Sequence, residues 1–149
     1  MKLSSELWAD HRRRRLEPPA PTESAFPTGE ALLSAIRNHH IDDHPLTRYA
    51  NKLGTVHRLL LKIPGTRTML GIERVELIHA IDSWARTGDP TRQSCGSLGA
   101  RIDLIAETQV RAYHLLMSED PGDPRVHAAW HDLAQLVDDY TCATAESAS

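Results

Sequence analysis

The chain has 149 residues, 40% of them hydrophobic and 25% charged, enough for one domain around one core. Its formal net charge of −3 argues against general nucleic-acid binding. No apolar run approaches the roughly 20 residues of a membrane span, and no hydrophobic segment follows the basic N-terminus as a secretory signal would require.

Residues 1–27 read as a flexible arginine-rich arm. LSSELWADHRRRRLE has helical spacing, with Leu3, Leu7 and Trp8 as a small apolar face. EPPAPTESAFP then ends any helix, because its prolines remove donors and bias each preceding residue to extended geometry. The basic run at residues 11–15 suits an acidic partner or phosphates, although such runs are more often solvated tails.

A first, short helix is expected over residues 28–38, capped by Thr28, with Leu32, Leu33 and Ile36 inward. The following HHIDDHP, residues 39–45, holds metal-ligand residue types in no recognisable metal spacing; Pro45 suits a first helical position and His44 the cap before it. Residues 46–62 form a second helix whose apolar face is Leu46, Tyr49, Ala50, Leu53, Val56, Leu60 and Leu61, with His57 near its middle. IPGTRT makes a turn around Pro64-Gly65.

A third helix spans residues 68–86, with Val75, Leu77, Ile78, Ile81, Trp84 and Ala85 inward, Arg74 at the centre of that arc and Asp82 at its edge. Glu76 and His79 match the Glu-x-x-His step of di-iron bundles, but the helical wheel turns them outward and no second such step occurs. A loop over residues 87–96 leads to a cap at Ser97 or Ser94.

Residues 97–117, SLGARIDLIAETQVRAYHLLM, read as the central helix. Leu98, Ile102, Ile105, Ala106, Tyr113 and Leu116 make one broad apolar face, and Leu104 with Leu115 adds a second strip. Asp103, Glu107, Val110 and His114 line one flank at i, i+4, i+7 and i+11. Titratable groups on a buried helix are costly unless paired or used, so this flank is the functional lead. After the SEDPGDP loop, Asp123-Pro124 starts a last helix over residues 125–142, with Val126, Ala129, Trp130, Leu133, Leu136, Val137 and Tyr140 inward. His127 and His131, at i and i+4, lie on its flank with Asp138 and lack an evident third metal ligand. Residues 143–149 read as a disordered tail. The pattern as a whole predicts an all-α protein: a helical domain over residues 28–142, built as an antiparallel four-helix bundle with a short extra N-terminal helix.

ERVELIHAIDSW followed by SLGARIDLIAETQVRAYH resembles the bacterial domain-of-unknown-function family 4254, whose members carry an R-x-E-L/V-x-x-x-I-D-x-W-like helix, then S-x-G-x-x-I-D-R-L and a basic-x-x-H ending. The matching positions are Arg74, Glu76, Asp82, Trp84, Ser97, Gly99, Ile102, Asp103, Arg111 and His114, and DHPLTRYANKLGTVHR resembles the preceding helix. The resemblance spans about residues 28–142 and departs at Leu104, where the family has arginine. It implies a helical bacterial protein and no settled activity.

The inward polar set is therefore His57, Arg74, Asp82, Asp103, Glu107 and His114, from three helices. Asp103 and His114 are separated by roughly 16 Å of helical rise, which predicts two layers. Arg74 and Asp82 would pair with Asp103 or Glu107 in one, and His114 with His57 would occupy the other. Such a set is either an ion network that fixes helix register or a polar pocket for a small anionic molecule. In the pocket reading, His114 or His57 is the acid–base group and Asp103 or Glu107 orients it. Arg74, with Asp82, Tyr113 and Arg111, holds the substrate. With no Ser-His-Asp set, phosphate loop or cofactor fingerprint in the sequence, the expected chemistry is cofactor-independent and metal-free, of lyase, cyclase or isomerase type. The alternative is a non-enzymatic interaction module that uses the basic arm and the flank of His127, His131 and Asp138 to meet a partner, a second copy of the chain included. Cys95 and Cys142 lack metal-ligand spacing and read as free thiols, consistent with a cytoplasmic protein; nine histidines are the one oddity of composition.

Overall fold

The computed structural model describes residues 26–88 and 96–148. The N-terminal arm, apart from Phe26 and Pro27, and the loop around Cys95 lie outside the described residues. Those described form five helices and no strand: α1 (Gly29–Ile36), α2 (Pro45–Lys62), α3 (Arg67–Gly88), α4 (Leu98–Ser118) and α5 (Pro124–Ala148). A single 3₁₀ turn, Pro64–Thr66, joins α2 to α3. Among the described residues no helix is long and apolar enough to cross a membrane.

The helix starts follow from short polar side chains that satisfy backbone donors left open in a first turn. Thr28 Oγ1 accepts from the Ala31 amide at 3.1 Å, and His44 Nδ1 accepts from the Leu46 amide at 3.1 Å. Ser97 Oγ accepts from the Ala100 amide at 2.9 Å, and Asp123 Oδ1 from the Arg125 amide at 2.8 Å. Within the 39–44 loop the remaining charges also pair locally, His40 with Asp42 at 3.0 Å and Asp43 with Arg48. At its far end α5 continues to Ala148, through residues expected to fray.

Helix α4 touches each of the other four helices, and no other helix does. Around it α3, α2, α1 and α5 form an arc in which each meets the next, while α3 and α5 do not meet. The core lies inside this arc, with Leu32, Ile36, Leu46, Leu53, Ile81, Ile102 and Ile105 at its centre, each fully buried or nearly so. Full burial of one such side chain contributes about 1.5–3 kcal/mol. Two glycines let backbones approach. A Cβ on Gly54 would stand 2.6 Å from the Ile36 carbonyl oxygen, and one on Gly99 would collide with the Ile78 carbonyl, so α1–α2 and α3–α4 packing both depend on a missing side chain.

The arc is open between α3 and α5, and four wheel-based expectations fail in the structure. Leu104 is 45% exposed because neither α3 nor α5 reaches over it, and Val75, expected inward on α3, is 65% exposed. Tyr113 and Leu116, expected on the broad apolar face of α4, are 54% and 40% exposed. These two line an open groove between α2, α5 and the residues after α1 and so keep part of their surface in solvent.

Candidate functional site

Three helices each send one polar side chain to a shared point beneath the surface. On α4, Asp103 is 3% exposed, and on α2, His57 is 6% exposed. His57 Nε2 donates to Asp103 Oδ1 at 2.8 Å. From α3, Arg74 donates to the other carboxylate oxygen, Oδ2, through Nε at 2.9 Å and Nη2 at 2.7 Å. Burial on its own would push the Asp103 carboxyl up. The hydrogen bonds from His57 and Arg74, with the positive charge of Arg74, outweigh it and hold the carboxyl below the ordinary aspartate range. The hydrogen bond to Asp103 raises the Arg74 guanidinium in turn, against a smaller effect of burial. Asp103 is thus a buried anion satisfied from two directions, and its bond to Nε2 fixes the imidazole ring. The other ring nitrogen, Nδ1, has no hydrogen-bond partner among the described residues.

His57 and Arg74 form the inner wall of an open groove of about 510 Å³ between α2, α3 and α4. Leu60, Leu61 and Val110 supply apolar lining, and Arg67, Arg111 and Glu107 supply charge. Arg74 is neutralised by Asp103. Arg67 and Arg111 make no hydrogen bond or ion pair with any described residue, so with Glu107 the groove keeps a positive excess. Guanidinium groups of this kind suit a carboxylate or phosphate, which they can hold by paired hydrogen bonds.

Of the residues singled out in the sequence, the structure brings His57, Arg74, Asp103, Glu107 and Arg111 to this groove. His57 shares the layer of Arg74 and Asp103 rather than a separate one. Asp82 is elsewhere: its Oδ2 accepts from Ser97 Oγ at 2.6 Å and its Oδ1 from the Gly99 amide at 2.8 Å. It closes the N-terminus of α4, where a negative charge meets the positive end of the helix dipole. Two turns of α3 separate Asp82 from Arg74, which is why the two cannot share a partner. His114 is exposed and Tyr113 faces a different groove. His114 does follow the stripe of Asp103, Glu107 and Val110 around α4, but α2 ends at Lys62 and α3 begins at Arg67. Leu61 and Arg67 already share the groove with Val110 and Arg111, so one further turn along α4 leaves His114 past the ends of both helices.

Arg67 is the groove residue that sequence reasoning misses, because IPGTRT reads as a turn ahead of the helix. Its signal was present: Arg67, Gly71 and Arg74, at i, i+4 and i+7, line the groove as one stripe of α3. Glu76, His79, His127, His131 and Asp138 are all exposed, and no group of three or more histidine, cysteine or acidic side chains converges as a metal site among the described residues. Cys142 is an exposed free thiol. Compared with known proteins, the chain matches no protein-family model, no curated protein and no solved structure.

Proposed function

We propose that the chain is a small cytoplasmic enzyme of a bacterial biosynthetic pathway, resembling the domain-of-unknown-function family 4254, which performs cofactor-independent acid–base chemistry on a small anionic molecule. Its framework on this reading is an antiparallel bundle of α2 to α5, with α1 as the short extra helix. One observation carries the proposal: a buried carboxylate, Asp103, orients a histidine on the wall of a groove whose two other arginines are unpaired among the described residues. With Nε2–H committed to Asp103, the neutral ring of His57 has its acceptor lone pair on Nδ1, which is the atom that would take a proton from substrate. The nearby carboxylate stabilises the imidazolium that results. Arg67 and Arg111 bind the substrate anion. Arg74 serves as a positioning residue, since two of its donors are spent on Asp103. Glu107 is the second titratable group in reach of the same molecule.

The test has two parts. First, small carboxylates and phosphates should raise the thermal midpoint of the wild type and fail to do so in an Arg67→Gln/Arg111→Gln double variant. Second, a pool of small carboxylate metabolites incubated with the protein in D₂O should gain deuterium at carbon-bound positions, read by mass spectrometry, and should not with His57→Gln. Anion binding without any exchange or turnover would leave a binding groove and defeat the enzyme reading.

The second reading, an interaction module, is favoured by a separate observation. Met69, Ile72 and Val75 recur at i, i+3 and i+6 on the outer face of α3 and are 76%, 57% and 65% exposed. Such a stripe suits a second copy of the chain. Light scattering would then report a dimer that Ile72→Glu converts to monomer.

A further inference from the structure

A second groove lies across α4 from the first, with a volume of about 570 Å³. Among the described residues only Val110 of α4, 7% exposed, lines both. Its walls come from the residues after α1, from Arg58 of α2, from Tyr113 and Leu116 of α4 and from Trp130 of α5.

Its chemistry differs from that of the first groove. Arg37, His39 and Arg58 line it, and no carboxylate among the described residues does. The two arginines are anchored through neutral groups. Arg37 Nη2 donates to Gln109 Oε1 at 3.2 Å, while its guanidinium carbon lies 5.9 Å from the centroid of the Trp130 ring. Arg58 Nη1 donates to the Ile36 carbonyl at 2.6 Å and Nη2 to Thr55 Oγ1 at 3.2 Å. Both cations are therefore held in place with their charge uncompensated by any described residue. The floor holds a further signal. Gln109 is 3% exposed, its Oε1 is used by Arg37, and its amide Nε2 has no acceptor among the described residues. A buried donor without an acceptor is uncommon in folded proteins and calls for a partner. Beside it Tyr113, 54% exposed, and Leu116, 40% exposed, keep apolar surface open.

We infer that this groove is a binding site for a small, flat aromatic carboxylate, distinct from the anion groove of the proposed enzyme. The carboxylate meets Arg37 and Arg58. The ring lies against Tyr113 and Leu116 and extends the Arg37–Trp130 stack, and a polar atom of the ligand accepts from Gln109 Nε2. The volume suits a molecule of one or two fused rings, within the ordinary range of small-ligand pockets.

Calorimetric titration of the full chain with 2-naphthoate tests this, with neutral 2-naphthamide and inorganic phosphate as companions. We expect saturable binding of one naphthoate per chain, naphthamide weaker by about tenfold or more, and no competition by phosphate. Tyr113→Ala, at an exposed position, should weaken naphthoate by about tenfold, and Arg37→Gln by at least as much. Arg67→Gln, in the other groove, should leave it unchanged. The inference is overturned by absence of saturation at a few millimolar naphthoate, by equal affinity for the amide, or by loss of binding in Arg67→Gln with none in Tyr113→Ala. Because Arg37 and Tyr113 line this groove and not the first, failure here leaves the anion groove untouched.

Discussion

Asp103 and His114 stand on the same stripe of α4, yet one is the most deeply embedded charge described in the molecule and the other is in solvent. At the level of Asp103, α2 and α3 both run alongside and each supplies a donor. At the level of His114, the chain of those two helices has already turned at Pro64–Thr66. A polar residue on a helix becomes a site when neighbours at its own height complete it, so axial position matters as much as angular position. The comparison gives a graded set of expectations, because each substitution along α4 or its partners should act in proportion to how many helices meet there.

The largest effect belongs to Asp103→Ala, which strands His57 beneath the surface and frees Arg74. Removing one member of a buried charge set costs roughly 3–5 kcal/mol, and the lower end of that range applies because the Arg74 side chain is 41% exposed and regains water. Urea unfolding should show it directly. A variant as stable as the wild type would mean that the two ends of α4 do not differ as argued.

His57→Gln should keep the fold, since an amide can still donate to Asp103, while the rate of deuterium exchange or turnover falls by about 10²–10⁴. Anion binding through Arg67 and Arg111 should persist in that variant. Loss of both together would place His57 in binding rather than proton transfer.

Asp103 also sets an acid limit. Its carboxyl sits lower in the folded chain than in the unfolded one, so through the acid range the unfolded chain binds more protons. The stabilisation is complete above the unfolded value, about pH 4, and is lost as pH falls through the folded one. Urea midpoints measured from pH 6 to about pH 3 should fall in the wild type, and fall less steeply in Asp103→Asn. Identical slopes would show that the buried carboxylate is not what acid titrates.

Arg67→Gln or Arg111→Gln should each weaken small anions by about tenfold with stability changed by no more than about 0.5 kcal/mol. The smallest effect is expected at His114→Ala: stability within about 0.5 kcal/mol, with anion affinity and exchange rate unaltered. A large catalytic defect there would overturn the assignment of the site to the Asp103 level.

Much of this protein was legible before its structure. The all-helical class, the caps Thr28, His44 and Asp123, a cap at Ser97 or Ser94, and the outward Glu76 and His79 follow from local rules: backbone donors at a helix start need an acceptor, and a 3.6-residue period fixes which side of a helix a residue occupies. The sequence also offers Arg74 a carboxylate of α4, Asp103 or Glu107, and the packing of the helices selects Asp103. Residue chemistry also identified His57 as an inward histidine. Helix lengths and register carry no such local signal. They decided that Asp82 caps α4 instead of joining the charge cluster, that Arg67 belongs to α3 and to the groove, that Tyr113 faces the second groove, and that His114 falls past the ends of α2 and α3. Those outcomes depend on how far each helix extends and where its neighbours stop, which is set by packing across the whole core, with Gly54 and Gly99 fixing two of the closest approaches.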